Sequence, residues 1–207
     1  KDKFLEGDKR FYLLKGVTGS GKTEVYLSII REALKKGEGV IFLLPEIALT
    51  PQMIDKFKNA FNENLAILHS KLTPVQRETE WMSIYTEEKN IVLGVRSAIF
   101  APVKNLKYII IDEEHESSYK QDSDPRYDAR YVALKRAEIE NAKVLMGSAT
   151  PLVESYFYAK NGIFEFDNFI TGEKMPCFGE KSHFFKCHFP DLNPFQARSA
   201  LLLLKKP

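Results

Sequence analysis

Short runs of β-forming residues alternate with longer segments of helical period along this chain: FYLLK (11–15), VIFLL (40–44), LAILH (65–69), IVLG (91–94), YIIID (108–112) and VLMG (144–147). That alternation predicts an α/β fold with a mainly parallel β-sheet flanked by crossover helices. Thr50-Pro51, Thr73-Pro74 and Thr150-Pro151 each put a capping hydroxyl before a proline suited to the first helical position, so a helix is expected to start at each. Gln76, three residues after Thr73, completes a capping box, and a further helix is expected from about Lys22 until Gly37 stops it. Within that helix Val25, Ile29, Ala33, Ile30 and Leu34 form a stripe that would pack on the sheet. No internal repeat of useful period is present. Near Asp167 the composition shifts to Phe, Pro and Lys without periodicity, which divides the chain into a lobe (1–166) and an irregular C-terminal tail (167–207).

Composition narrows the class without naming a partner. A length of 207 residues suits one full-sized core plus a tail, and 44% hydrophobic with 28% charged residues is a globular mixture. A net charge of +2 is too mild for a global nucleic-acid field, so any DNA contact must come from local patches. The runs VIFLLP, YIII and ALLLL are too short to span a membrane and the first residues lack a signal-peptide core, which predicts a cytoplasmic protein without membrane contact. Cys177 and Cys187, too few for a disulfide framework, agree with a reducing compartment. The absence of an initiator methionine suggests a fragment.

The chemistry starts at GVTGSGKT. Gly16, Val17, Thr18, Gly19, Ser20, Gly21, Lys22 and Thr23 fit the G-x-x-x-x-G-K-[ST] phosphate loop, with a strand expected before it and a helix after. Glycines let the backbone wrap phosphates, amides at the helix start donate to them, Lys22 would neutralise the β and γ oxygens of ATP, and Thr23 would ligate Mg²⁺. The run YIIIDEEH then delivers Asp112 at a strand's carboxyl end as the second Mg²⁺ anchor, and Glu113 beside it to orient or deprotonate an attacking water.

Seven stretches carry a family resemblance: GVTGSGKTEVYL, LLPEIALTPQ (43–52), LHSKLTPVQRETEW (68–81), LGVRSAIFAP (93–102), IIIDEEHESSYKQ (109–121), PRYDARYVALKRA (125–137) and MGSATPLVES (146–155). In this order they resemble the first, RecA-like motor lobe of superfamily 2 helicases, and more closely that of the primosomal replication-restart DNA helicases, over roughly residues 11–166. The resemblance implies an ATP- and Mg²⁺-dependent, 3′-to-5′ DNA helicase acting on single-stranded or forked DNA with other primosome and single-strand-binding proteins. It implies backbone contacts to one DNA strand from Thr50, Ser70, Arg96 and Ser97. In the aromatic-rich loop from Ser117 to Arg130 it implies stacking on Tyr119 and Tyr127, about 1–3 kcal/mol per base, and phosphate contacts from Lys120, Arg126 and Arg130. Ser148 and Thr150, with His115, would couple γ-phosphate loss to strand movement.

Plainer readings stand beside these. Arg96 and Arg130 would serve equally as ion-pair partners, either tyrosine as a core residue, His69 as a hydrogen-bonded strand end, and Trp81 as core. The family's second lobe, its amino-terminal DNA-binding region, its adenine-contacting helix and its cysteine-rich zinc insertion have no counterpart in this sequence. A missing arginine finger is worth about 10³ to 10⁵ in rate, so the chain alone is expected to hydrolyse ATP poorly. Zinc is expected for the full-length family but not here, since Cys177, His183, Cys187 and His188 lack a C-x-x-C pair. Two other classes remain: a phosphate-loop interaction module without turnover, and a small-molecule phosphotransferase.

Overall fold

The computed structural model describes residues 1–168. In chain order the larger elements are α1 (Asp2–Glu6), β1 (Phe11–Lys15), α2 (Lys22–Lys35), β2 (Gly39–Leu43), α3 (Pro51–Phe61), β3 (Leu65–Leu68), α4 (Pro74–Tyr85), β4 (Ile91–Gly94), β5 (Leu106–Ile111), the short strands β6 (Lys120–Gln121) and β7 (Tyr127–Asp128), α5 (Ala129–Glu140), β8 (Lys143–Ser148), α6 (Val153–Lys160) and β9 (Glu165–Asn168). Seven strands form one sheet in the order β3-β4-β2-β5-β8-β1-β9, and every pairing in it is parallel. β6 and β7 pair separately, antiparallel, at the base of the aromatic-rich loop.

Because strand side chains alternate between faces, each strand feeds two cores. Tyr12, Leu14, Val40, Phe42, Ile110 and Leu145 pack with Phe4, Ile29, Ile30, Phe57 and Phe61 from α1, α2 and α3. Leu13, Ile41, Leu43, Ile109, Ile111 and Met146 face the other way, onto Ile84, Ala133, Ala137 and Ala159 from α4, α5 and α6. Truncating a fully buried member such as Ile110 to Ala costs about 2–5 kcal/mol.

All strand carboxyl ends point to the same edge of the sheet, where ligands of open α/β sheets gather. The helices that leave this edge start differently. Thr50 Oγ1 caps α3 by accepting from Met53 N at 3.3 Å, and Thr73 and Gln76 form the expected capping box on α4. α2 starts from Gly21 in the left-handed region with no side-chain cap. Its amino terminus is therefore open to an outside acceptor.

Two expectations need correction. The helix after Thr150-Pro151 starts at Val153 without a threonine cap, because the amide of Leu152 is drawn 2.8 Å onto the carboxylate of Glu114 and that of Thr150 turns back onto Ser148 Oγ. The strand β9, which no apolar run announced, pairs with β1 from Tyr12–Glu165 to Lys15–Asn168 and runs past residue 166. The cysteines and histidines weighed as a zinc set lie outside the described residues. No helix among the described residues is long and apolar enough to cross a membrane.

Candidate nucleotide-binding site

The phosphate loop joins β1 to α2. Gly16 N donates to Ser148 O at 3.0 Å, which ties the loop's first residue to the end of β8. Gly19 and Gly21 take φ of +78° and +91°, a region that side chains rarely adopt. The space a Gly19 side chain would fill is empty to 4 Å. Lys22 is buried, and its ammonium donates to Gly16 O at 2.7 Å and lies 3.6 Å from Glu113 Oε1. Ser20 Oγ is buried with no hydrogen-bond partner. A buried hydroxyl without a partner is costly. Together with the uncapped helix and the open space at Gly19, it fits a loop shaped for phosphate oxygens. Thr23, beside Lys22 in the first turn of α2, and Asp112 carry oxygen donors of the hard kind that would suit Mg²⁺ alongside phosphates and water.

The acidic turn follows β5. Asp112 is buried; its amide donates to Leu43 O at 3.0 Å and its Oδ1 accepts from the Tyr26 hydroxyl, also at 3.0 Å. Burial, reinforced by repulsion from Glu113, raises the Asp112 carboxyl above its ordinary value, while the Tyr26 hydroxyl and Lys22 pull the other way. Burial and the facing Asp112 push the Tyr26 phenol well up, so it stays a donor. Glu113 takes φ of +45°, a left-handed strain common at functional turns, and its partly exposed carboxylate stands between Lys22 and His115 Nδ1, which is 3.6 Å from Oε2. Glu114 is fully buried; its carboxylate accepts from Leu152 N and from Ser155 Oγ at 3.0 Å. Burial raises this carboxyl as well.

His115 Nδ1 lies 2.8 Å from Ser148 Oγ, which accepts the Thr150 amide at 3.0 Å. The acidic turn, the end of β8 and the phosphate loop are thus joined by direct hydrogen bonds.

The residues expected on DNA divide into two groups. Thr50, Ser70, Ser97, Lys120 and Arg126 are exposed. Ser70 Oγ donates to the Glu46 carboxylate, and Lys120 stands 3.9 Å from Asp122. Tyr119 is different: the expectation that it stacks on bases is corrected, because the side chain is fully buried, donating to Asp112 O at 2.6 Å and Leu43 O at 3.2 Å. Arg96 clamps the same turn, donating to Ser118 O at 3.2 Å and Lys120 O at 2.7 Å, with its guanidinium 5.8 Å from the Tyr127 ring centre. Tyr127 is half-buried against Phe100. Arg130 forks onto Asp128 at 2.5 Å and donates to Glu114 O at 2.7 Å, so its guanidinium is held inside the protein and is not free for phosphate. Trp81 packs against the core, and His69 Nδ1 accepts from Lys71 N at 3.2 Å.

Tyr26 and Glu114 were not singled out from the sequence. A hydroxyl in the buried stripe of α2 needs a partner, and that was the available signal for Tyr26. Glu114 carried none, since its partners come from α6.

The family model described as DEAD/DEAH box helicase matches residues 2–156. The replication restart protein PriA of Bacillus subtilis (strain 168) is 53% identical over 162 residues, 78% of this chain and 20% of that protein. The same-named protein of Haemophilus influenzae (strain ATCC 51907 / DSM 11121 / KW20 / Rd) is 51% identical over 154 residues, 74% of this chain and 21% of that protein. The chain thus spans about a fifth of the length of these relatives. Among solved structures, RecG bound to a three-way DNA junction shares the fold, with a TM-score of 0.58 and 24% identity over 87% of this chain and 23% of that one. With the phosphate loop, the acidic turn and this match on one sheet edge, the chain belongs to the DEAD/DEAH box helicase family.

Proposed function

We propose that this chain is the nucleotide-binding lobe of an ATP-dependent DNA helicase of replication restart, moving 3′ to 5′ along single-stranded or forked DNA in the cytoplasm with primosome and single-strand-binding partners. The observation that carries the reading is the contact between loop and acids: Lys22 on Gly16 O, Glu113 3.6 Å from Lys22, and Asp112 behind them. Lys22 is held where it can exchange a backbone carbonyl for phosphate oxygens. Glu113, left partly exposed between Lys22 and His115, is the carboxylate available to orient a water. Bound Mg²⁺ would supply charge neutralisation of the phosphates, with Thr23 and Asp112 as its holders.

Loss of the γ-phosphate would reach β8 through Glu113, His115 and Ser148, and the aromatic-rich loop through Asp112 and Tyr119. The DNA backbone would meet Thr50, Ser70, Ser97, Lys120 and Arg126 on the same sheet edge. Arg96, Tyr127 and Arg130 would then hold the loop's shape, with Tyr127 offering its exposed edge.

The test is phosphate release from Mg-ATP with and without single-stranded DNA, for the chain and its Lys22→Ala and Glu113→Gln variants. DNA-stimulated release lost in both variants supports the motor reading. Because the chain spans about a fifth of its relatives, the specific competing outcome is nucleotide binding that Lys22→Ala weakens, with no turnover; that would make the isolated chain a binding module. No nucleotide binding at all refutes both.

A further inference from the structure

Tyr26 and Gly147 have no part in the loop-to-acid contact above, yet they meet behind it. Tyr26 lies on the second turn of α2, and its ring is wedged 5.4 Å from that of Phe42, which itself packs on Phe57. The hydroxyl emerges from this apolar packing at one polar atom, Asp112 Oδ1. On its far side runs β8. A Cβ built on Gly147 would fall 1.7 Å from the Tyr26 hydroxyl, 2.9 Å from the ring carbon that bears it and 3.4 Å from Asp112 Oδ1. Glycine at 147 is what leaves room for the phenol. The φ of Gly147 is not in the left-handed region, so space and not backbone conformation demands the glycine.

We infer that Tyr26 is a positioning residue that fixes the rotamer of the Asp112 carboxylate for the divalent cation accompanying the nucleotide, and that Gly147 exists at the end of β8 to admit its hydroxyl. The inference rests on the nucleotide-binding reading above. A carboxylate accepting from a rigid phenol presents its other oxygen in one direction only, whereas an unbraced one samples several. The brace also joins α2, the helix that carries the phosphate loop, to the end of β5, with Gly147 of β8 packed beside the shared hydrogen bond. Tyr119 holds the main chain of Asp112 from the opposite core, through its carbonyl, and leaves the carboxylate to the Glu113 backbone amide and to Tyr26, the one side chain that donates to it.

The test uses the 207-residue chain and a fluorescent, non-hydrolysable ATP analogue, titrated with Mg²⁺ and separately in EDTA. Tyr26→Phe keeps the ring and removes only the hydroxyl. The expected result is a Mg²⁺ midpoint raised about 10- to 100-fold, the range for loss of a partner to a metal-ligating group, with affinity in EDTA unchanged. Gly147→Ala reaches the same end by displacing the phenol, and Tyr26→Phe/Gly147→Ala is then no worse than Gly147→Ala, a non-additivity expected of residues sharing one contact.

An unshifted midpoint in Tyr26→Phe overturns the inference, as does a loss of affinity that is equal with and without Mg²⁺, which marks mere structural damage. If Tyr26→Phe fails to fold, the shift in Gly147→Ala decides alone. Wild-type chain that binds no analogue under any condition, with Lys22→Ala indistinguishable from it, refutes the nucleotide reading itself and takes this inference with it.

Discussion

The phosphate loop and the aromatic-rich loop lie on one edge of the sheet, close to the same aspartate, and they are finished to opposite degrees. In the phosphate loop a buried serine hydroxyl has no partner, a helix has no side-chain cap, and the lysine rests on its own loop's carbonyl. In the aromatic-rich loop the Tyr119 hydroxyl donates between two carbonyls, Arg96 holds carbonyls on both sides of it, and Arg130 forks onto Asp128. Incomplete satisfaction in the phosphate loop fits a segment that a ligand would complete, whereas full satisfaction in the aromatic-rich loop fits a joint between elements. Aromatic and basic composition alone does not separate the two roles.

The strongest way to break this comparison is at Tyr119. If it is a joint, Tyr119→Ala destabilises the fold by about 3–5 kcal/mol in urea-induced unfolding, a core-aromatic truncation, and Tyr119→Phe by about 1–3 kcal/mol for the stranded carbonyls. Near-zero changes would return Tyr119 to the surface. Next, Lys22→Ala should lower nucleotide affinity by about 10- to 150-fold, equivalent to about 1.5–3 kcal/mol for a hydrogen bond to a charged group, with the circular dichroism spectrum unaltered. Loss of the spectrum would mean that the phosphate loop, too, is a structural joint.

A smaller effect comes from pH. The carboxyl of Asp112 is raised in the folded protein by burial and by Glu113, so the folded state binds its proton more tightly than the unfolded state does. Its ionisation therefore costs stability as pH rises from the ordinary aspartate value of 3.8 through the raised one. Asp112→Asn should raise the melting temperature at pH 7, by about 2–4 °C per kcal/mol relieved for a chain of this size, and the gain should shrink as the pH falls through that window. A gain independent of pH would refute burial as the cause. Smallest of all, Lys56→Ala, which removes the exposed Glu24–Lys56 pair at 2.7 Å, should leave unfolding unchanged within error.

Much of this was legible from local pattern. The loop's glycines, the strands that precede each motif and the capping box at Thr73 and Gln76 are set by residues within a few positions of one another, and the structure has them where the spacing puts them. Each miss involves at least one partner distant along the chain. Tyr119 reads as a stacking aromatic until Leu43 and Asp112 close over its hydroxyl. Arg130 reads as a phosphate ligand until Asp128 and Glu114 take its guanidinium. α6 loses its threonine cap to a carboxylate from residue 114, and β9 becomes a strand because β1 has an open edge beside it, not through any apolar run of its own. Local sequence determines the elements, whereas their contacts decide which polar groups remain free.

The two acids that flank Glu113 set how that residue can move. The amide of Asp112 is bonded to the end of β2 and that of Glu114 to Gly147 at the end of β8. Both protons should therefore exchange with solvent deuterium only when the central sheet itself opens, on the slow scale of the most protected amides. A residue clamped between two such neighbours has a main chain that is still on the timescale of turnover. In the proposed reaction, any adjustment of Glu113 to an incoming water would fall to its side-chain torsions, which a partly exposed glutamate samples in picoseconds to nanoseconds.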